Sequence, residues 1–261
     1  MFKPIPDLSK ARILVSNDDG IHGPGLEVLE RVARSLSDDV WVAVPETEQS
    51  GAGHSLTLHH PLRIREVEER RFAIAGTPTD SVLLAVNHIL TDRKPDLVLS
   101  GINRGANLGE DVHYSGTVAA AMEGTLLGFP SIALSQIFAG PHPVKWQTGE
   151  RFAADVITRL MSLEWPRNVL MNVNFPDVEP DAVTGVEMTS QGKRKIGDGL
   201  IERHDPRGRP YIWIGPQRSG GEAPKGTDIE AVGRGAISIT PLNVDLTDRE
   251  TLERFKENVF P

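Results

Sequence analysis

Ile13-Leu14-Val15-Ser16-Asn17-Asp18-Asp19-Gly20 is an apolar run that ends in an amide, two carboxylates and a glycine. A continuous Val/Ile/Leu run reads as a strand buried on both faces of a parallel sheet. Its polar end then marks the carboxyl edge of that sheet, where open α/β folds keep their active sites. Adjacent carboxylates repel each other, so a cation accepted by both is a more natural occupant of that edge than water. An aspartate before glycine is also a common turn or helix cap, but capping needs one acceptor, not two.

Working outward, strand-like and helix-like segments alternate through the first two thirds of the chain, the pattern of a Rossmann-like, doubly wound, mostly parallel sheet with helices on both faces. Strands are expected near 12–17, 40–44, 97–100, 131–135 and 169–174, and helices near 25–36, 79–90, 117–127 and 147–163. Residues 56–75 alternate apolar with charged side chains and read as an antiparallel excursion. From about Thr189 the texture changes: 191–226 is rich in Gly, Pro, Arg and Lys around one apolar patch, Tyr211-Ile212-Trp213-Ile214. This predicts a protruding β-hairpin that buries its aromatics against another copy of the chain. A returning strand at 236–240 and a closing helix at 248–258 complete a single domain, with a core at about 11–188 and a hairpin and oligomerisation segment at about 189–261.

Composition narrows the chemistry. The 261 residues carry 28 basic and 36 acidic side chains, a formal charge of −8 with no dense Lys/Arg block, so stable binding to polymeric nucleic acid is not expected. There is no cysteine, which removes thiolate nucleophiles and thiolate metal sites and leaves oxygen or imidazole to hold any metal. No segment reads as a signal peptide or approaches the ~20 apolar residues of a membrane span, so the expected location is cytoplasmic.

Four loops follow strands on what should be one edge of the sheet: 17–25, 45–54, 101–117 and 136–143. In the second, Ser50 before Gly51 reads as turn chemistry on its own, but a hard cation with two carboxylates still needs neutral oxygens. In the third, Asn103 and Asn107 offer amide groups to a metal or a phosphate. Ser115-Gly116-Thr117 opens a small-residue helix whose free N–H groups and hydroxyls suit a phosphate. No G-x-G-x-x-G follows the first strand, which argues against a dinucleotide site. Thr77-Pro78-Thr79-Asp80 reads as a capped helix start rather than as chemistry. His59, His60 and His88 lack metal-ligand spacing, and the charges at 66–71 read as a solvated face.

Together, Ser16-Asn17-Asp18-Asp19-Gly20, Gln49-Ser50-Gly51, Gly76-Thr77-Pro78-Thr79-Asp80, Ser100-Gly101-Ile102-Asn103 and Tyr114-Ser115-Gly116-Thr117-Val118-Ala119-Ala120-Ala121 resemble the SurE family, the stationary-phase survival protein nucleotidases. Ser238-Ile239-Thr240-Pro241-Leu242 extends the likeness toward the C-terminus. The resemblance implies a 5′/3′-nucleotidase that hydrolyses nucleoside monophosphates with one divalent cation per subunit, Mg²⁺ or Mn²⁺. It puts the metal ligands on Asp18, Asp19, Ser50 and Asn103 and the phosphate-binding role on Asn107, Ser115, Gly116 and Thr117. It further implies a homodimer or homotetramer assembled through the C-terminal hairpin. Asp18 and Asp19 are the expected catalytic pair, acting on a metal-activated water, with an aspartyl-phosphate intermediate an open alternative. A haloacid-dehalogenase-type phosphatase needs Asp-x-Asp, which Asn17-Asp18-Asp19 does not provide. A nucleotide-binding regulatory module without turnover is the other reading. Residues before Ala11 look like an extension and carry no assigned role.

Overall fold

The computed structural model describes residues 1–194, 199–214 and 223–258. Eleven strands and six α-helices are found among them. A nine-stranded sheet has the order β3-β4-β2-β1-β5-β6-β7-β11-β8. It comprises β1 (Arg12–Ser16), β2 (Asp39–Pro45), β3 (Ile64–Glu68), β4 (Arg71–Ile74), β5 (Leu97–Arg104), β6 (Ser131–Gln136), β7 (Val169–Phe175), β8 (Gly185–Met188) and β11 (Ala236–Asn243). The neighbours from β4 to β7 all run parallel. β3 pairs antiparallel with β4 at one edge, and β11 pairs antiparallel with β7 near the other. The segment expected as an antiparallel excursion is therefore half core: β4 joins β2 in parallel and buries Ala73 and Ile74.

Helices α1 (Pro24–Leu36) and α4 (Trp146–Met161) cover one face, and α2 (Pro78–Leu84) and α3 (Gly116–Leu126) cover the other. Side chains alternate along a strand, so Ile13 and Val15 pack with Leu26, Leu29, Val156 and Ile157, while Leu14 packs with Val82, Val86 and Ala120. α1 lies directly on β5: a Cβ at Gly25 would stand 1.8 Å from the Ile102 carbonyl oxygen. α2 begins as expected. The Thr77 hydroxyl accepts from the Asp80 N–H (3.1 Å), and the Asp80 carboxylate accepts from the Thr77 N–H (2.9 Å). α2 then loosens into a π-helical turn, Ala85–Ile89.

Strand β1 feeds β2 on one side and has β5 on the other, with Ser16 paired to Ser100. The winding reverses between β1 and β5, and the crevice at such a reversal is where open α/β sheets bind ligands. After β8 the chain leaves the sheet and forms the antiparallel pair β9 (Leu200–His204) and β10 (Pro210–Ile214), in register Tyr211 to Arg203. Residues 195–198 and 215–222 of the expected hairpin segment lie outside the described residues. Trp213 and Ile214 are 62% and 79% exposed. The chain returns through α5 (Asp228–Gly233) to β11, which slots between β7 and β8, and α6 (Arg249–Asn258) follows. Segment 189–261 is thus divided between a hairpin outside the sheet and a strand inside it. No helix among the described residues is long and apolar enough to cross a membrane.

Candidate active site

The loops after β1, β2, β5 and β6 meet at the reversal point and line an open cleft of about 1330 Å³. Asp18, Ser50, Asn103, Asn107 and Ser115 lie in its wall; Asp19, Gly116 and Thr117 are not among the lining residues but touch them or their neighbours, Thr117 and Gly116 at Asp18 and Asp19 at the Arg104 N–H. Asp18 is buried, and its Oδ1 accepts the Thr117 hydroxyl at 2.5 Å. Burial pushes the Asp18 carboxyl up to about 6, against the pull of the Thr117 bond and with a further push from the Asp19 charge. Asp19 is also raised, first by burial and then by the Glu48 carboxylate, although its Oδ2 accepts the Arg104 N–H at 3.2 Å. Carboxylates crowded and desolvated in this way are held at a cost that a cation would relieve.

The helix carrying Thr117 reaches Asp18 because residue 116 is glycine. A Cβ there would stand 2.7 Å from the Asp18 Cβ and 3.0 Å from its Oδ2. Ser115 is the N-cap of α3, its hydroxyl accepting the Val118 N–H at 3.0 Å. Its hydroxyl is therefore engaged by the helix, and that of Thr117 by Asp18. The first-turn N–H groups, which have no intrahelical carbonyl, are what this helix end offers an anion.

The Ser50 loop is fixed at both ends. At its head the Gln49 N–H donates to the Asp18 carbonyl (2.8 Å). At its tail the Gly53 N–H donates to the Tyr114 carbonyl (3.1 Å), and His54 Nε2 meets Glu123 Oε2 at 2.9 Å. Ser50 Oγ donates to Glu48 at 2.8 Å. Asn103 Nδ2 donates to the Gly105 carbonyl at 3.2 Å, so the amide nitrogen is the end occupied by the protein. Asn107 is buried and clamped. Its N–H donates to Asn174 Oδ1 (2.9 Å), its Nδ2 to Ser135 (2.8 Å), and its carbonyl accepts Asn172 Nδ2 (2.8 Å) and Asn174 Nδ2 (3.0 Å).

The sequence reading missed this supporting amide network, although Asn172 and Asn174, alternating in an otherwise apolar strand, were the signal for it. It also missed Arg104, Phe138 and the wall formed by Gln191, Lys193 and Arg194. That wall is docked by Gln191 Nε2 on the Gly109 carbonyl (2.8 Å), by Arg194 on Asp111 (3.1 Å) and by buried Asp228, which accepts the N–H groups of Gly109 (2.9 Å) and Gly192 (2.8 Å). No local pattern announces these pairings, which span about a hundred residues of chain.

Among the described residues no group of three or more His, Asp or Glu side chains is placed to hold a metal. What this corner of the cleft could offer a metal is two carboxylates with neutral hydroxyl and amide oxygens. All-oxygen sets of this kind suit Mg²⁺, Mn²⁺ or Ca²⁺ rather than softer metals. The fold is that of an α/β protein with a doubly wound sheet, whose reversal point sets a carboxylate corner beside the amino end of a helix.

The chain belongs to the SurE family: the family described as Survival protein SurE matches residues 13–198, which bears out the resemblance read from the motifs. It is similar to the protein named 5′-nucleotidase SurE of Paramagnetospirillum magneticum, 68% identical over 97% of each chain. It is 62% identical to the protein of the same name from Rhodospirillum rubrum, over 97% of this chain and 98% of that one. The crystal structure of the SurE protein from Aquifex aeolicus shares the fold with a TM-score of 0.82 at 40% identity, over 94% of this chain and 98% of that one.

Proposed function

We propose that this protein is a metal-dependent 5′/3′-nucleotidase that hydrolyses nucleoside monophosphates at Asp18 and Asp19. The observation that carries the reading is the packing of α3 against Asp18, where Gly116 and Thr117 set a helix amino end beside two crowded carboxylates in one cleft. The names of the relatives supply the substrate class.

In this reading Asp18, Asp19, Ser50 Oγ and Asn103 Oδ1 hold one Mg²⁺ or Mn²⁺ per subunit. Such an ion, when bound, neutralises charge on a phosphate oxygen and lowers the pKa of water in the site. The first-turn N–H groups at Gly116 and Thr117, with Ser115 and Asn107, orient the phosphate and stabilise its developing charge. Thr117 holds Asp18 in its charged form and in place. One carboxylate of the pair positions the attacking water or takes its proton. The exposed apolar side chains of β9–β10, Leu200 and Ile214 on one side and Trp213 on the other, are where a second copy docks in the proposed homodimer or homotetramer. A cytoplasmic setting is part of the same proposal.

The test is phosphate release from a panel of 5′- and 3′-nucleoside monophosphates, in EDTA and then with added Mn²⁺ or Mg²⁺, for the wild type and Asp19→Asn. Release that requires the metal and falls at least 100-fold in the variant supports the assignment, a loss on the scale of an essential electrostatic group. Nucleotide binding without release under any metal would replace it with the regulatory module.

A further inference from the structure

Beyond the carboxylate corner the cleft continues to a wall made by the loop after β6. Gln136, the last residue of β6, pairs with Arg104 of β5. Phe138 therefore stands two residues past the Asn103–Arg104 edge, ~7 Å further along at strand spacing. The Arg104 guanidinium lies over the Phe138 ring, 5.1 Å from its centroid. The backbone is pinned on both sides of the ring: the Ile137 N–H donates to the Phe175 carbonyl (3.0 Å), and the Ala139 N–H donates to Asp177 Oδ2 (2.9 Å). Asp177 is held in turn by Lys145 at 3.3 Å and His142 at 3.2 Å. Phe138 belongs to none of the three apolar clusters of the core. It is half-buried in the wall of a polar cleft, and phosphate hydrolysis has no use for an aromatic ring there.

We propose that Phe138, backed by Arg104, is the platform on which the nucleobase of the substrate stacks. This rests on the nucleotidase reading and deepens it by naming what distinguishes a nucleotide from any other phosphomonoester. Stacking uses the π-face that every base possesses, so the platform detects that a base is present without choosing among bases. The Arg104 N–H also holds Asp19, so a single residue joins the platform to the carboxylate corner.

The experiment compares adenosine 5′-monophosphate with ribose 5-phosphate, which lacks the base, on wild type, Phe138→Ala and Phe138→Trp. The ratio of kcat/KM for the nucleotide over that for the sugar phosphate should fall roughly 5- to 100-fold in Phe138→Ala, through KM, and be retained in Phe138→Trp. An unchanged ratio, including an equal loss on both substrates, overturns the platform. If the wild type turns over neither compound, the nucleotidase reading falls and the same comparison moves to calorimetric binding with Mn²⁺ present. Selective loss of nucleotide affinity in Phe138→Ala would then still support the platform, and equal affinities would overturn it.

Discussion

Replacing Asp18 by asparagine makes the metal-free protein more stable, by an amount that depends on pH. Asp18 is buried and its carboxyl is raised from 3.8 to about 6, with burial as the first cause. A native pKa above the unfolded one means that the folded chain holds the proton more tightly. Ionisation is therefore a cost to folding that is absent below pH 3.8, grows as pH rises and is complete above about 6. At about 1.4 kcal/mol per unit, the cost is about 3 kcal/mol at neutral pH, about 1.5 kcal/mol near pH 5 and a few tenths near pH 4. Asparagine has the same shape, and its oxygen still accepts the Thr117 hydroxyl that lies 2.5 Å from Asp18 Oδ1. No cavity is left, and the weakened hydrogen bonds from the Asp18 and Thr117 backbone N–H groups, which favour the carboxylate, take back only part of the gain. Urea unfolding of both proteins in EDTA, from about pH 4 to about pH 8, should show the two stabilities diverging by up to that margin. Saturating Mn²⁺ should reverse their order, because the wild type then gains the binding energy. Parallel pH profiles in EDTA would mean that Asp18 ionises like an exposed carboxylate, and the account of the site as a strained acidic corner would be wrong.

Gly116→Ala puts a methyl 2.7 Å from the Asp18 Cβ and 3.0 Å from Pro78 Cγ; kcat/KM should drop more than about tenfold, with circular dichroism unchanged, since the clash meets side chains rather than backbone. Thr117→Val removes the hydroxyl that favours charged Asp18, so in EDTA the stability lost on ionising Asp18 should grow relative to the wild type, and an unchanged pH dependence of unfolding would detach Thr117 from Asp18. Thr77→Ala should cost about 1 kcal/mol in unfolding experiments without altering kcat, because the Thr77–Asp80 box starts a helix and does no chemistry. Trapping a phosphorylated aspartate after rapid quenching with substrate would refute direct attack by water.

The parts of the fold that were legible in the sequence are those fixed by local physics. Val15 and Leu99 sit in runs too apolar for anything but a doubly covered strand, and Pro78 and Ser115 start helices where expected. The run 97–100 seemed to end at Gly101, yet β5 resumes pairing with β6 at Asn103 after a shift in register and so carries Asn103 and Arg104 on the strand itself. β8 was not legible because four alternating residues, Gly185-Val186-Glu187-Met188, are too few to show a period. The insertion of β11 between β7 and β8 is a long-range choice that no local pattern encodes. The position of Asp18 in the cleft wall was legible because a polar end to an apolar strand marks the carboxyl edge of the sheet. Arg104, Phe138 and Asp228 were not, since a lone arginine, aromatic or capping acid is ordinary until the fold shows what it touches.

Where the chain leaves and re-enters the body of the molecule, Ser190 and Gly226 are stitched together. The Ser190 N–H donates to the Gly226 carbonyl at 3.0 Å, and the Ser190 carbonyl accepts the Asp228 N–H at 2.9 Å. A loop closed at its neck leaves its contents free to drift in sequence and length while the sheet on either side stays as it is. Because Gln191 and Lys193 just inside the neck also wall the cleft, a change in this appendage can reshape one side of the cleft while the acidic corner remains untouched. The two sides of the cleft answer to different stretches of the sequence.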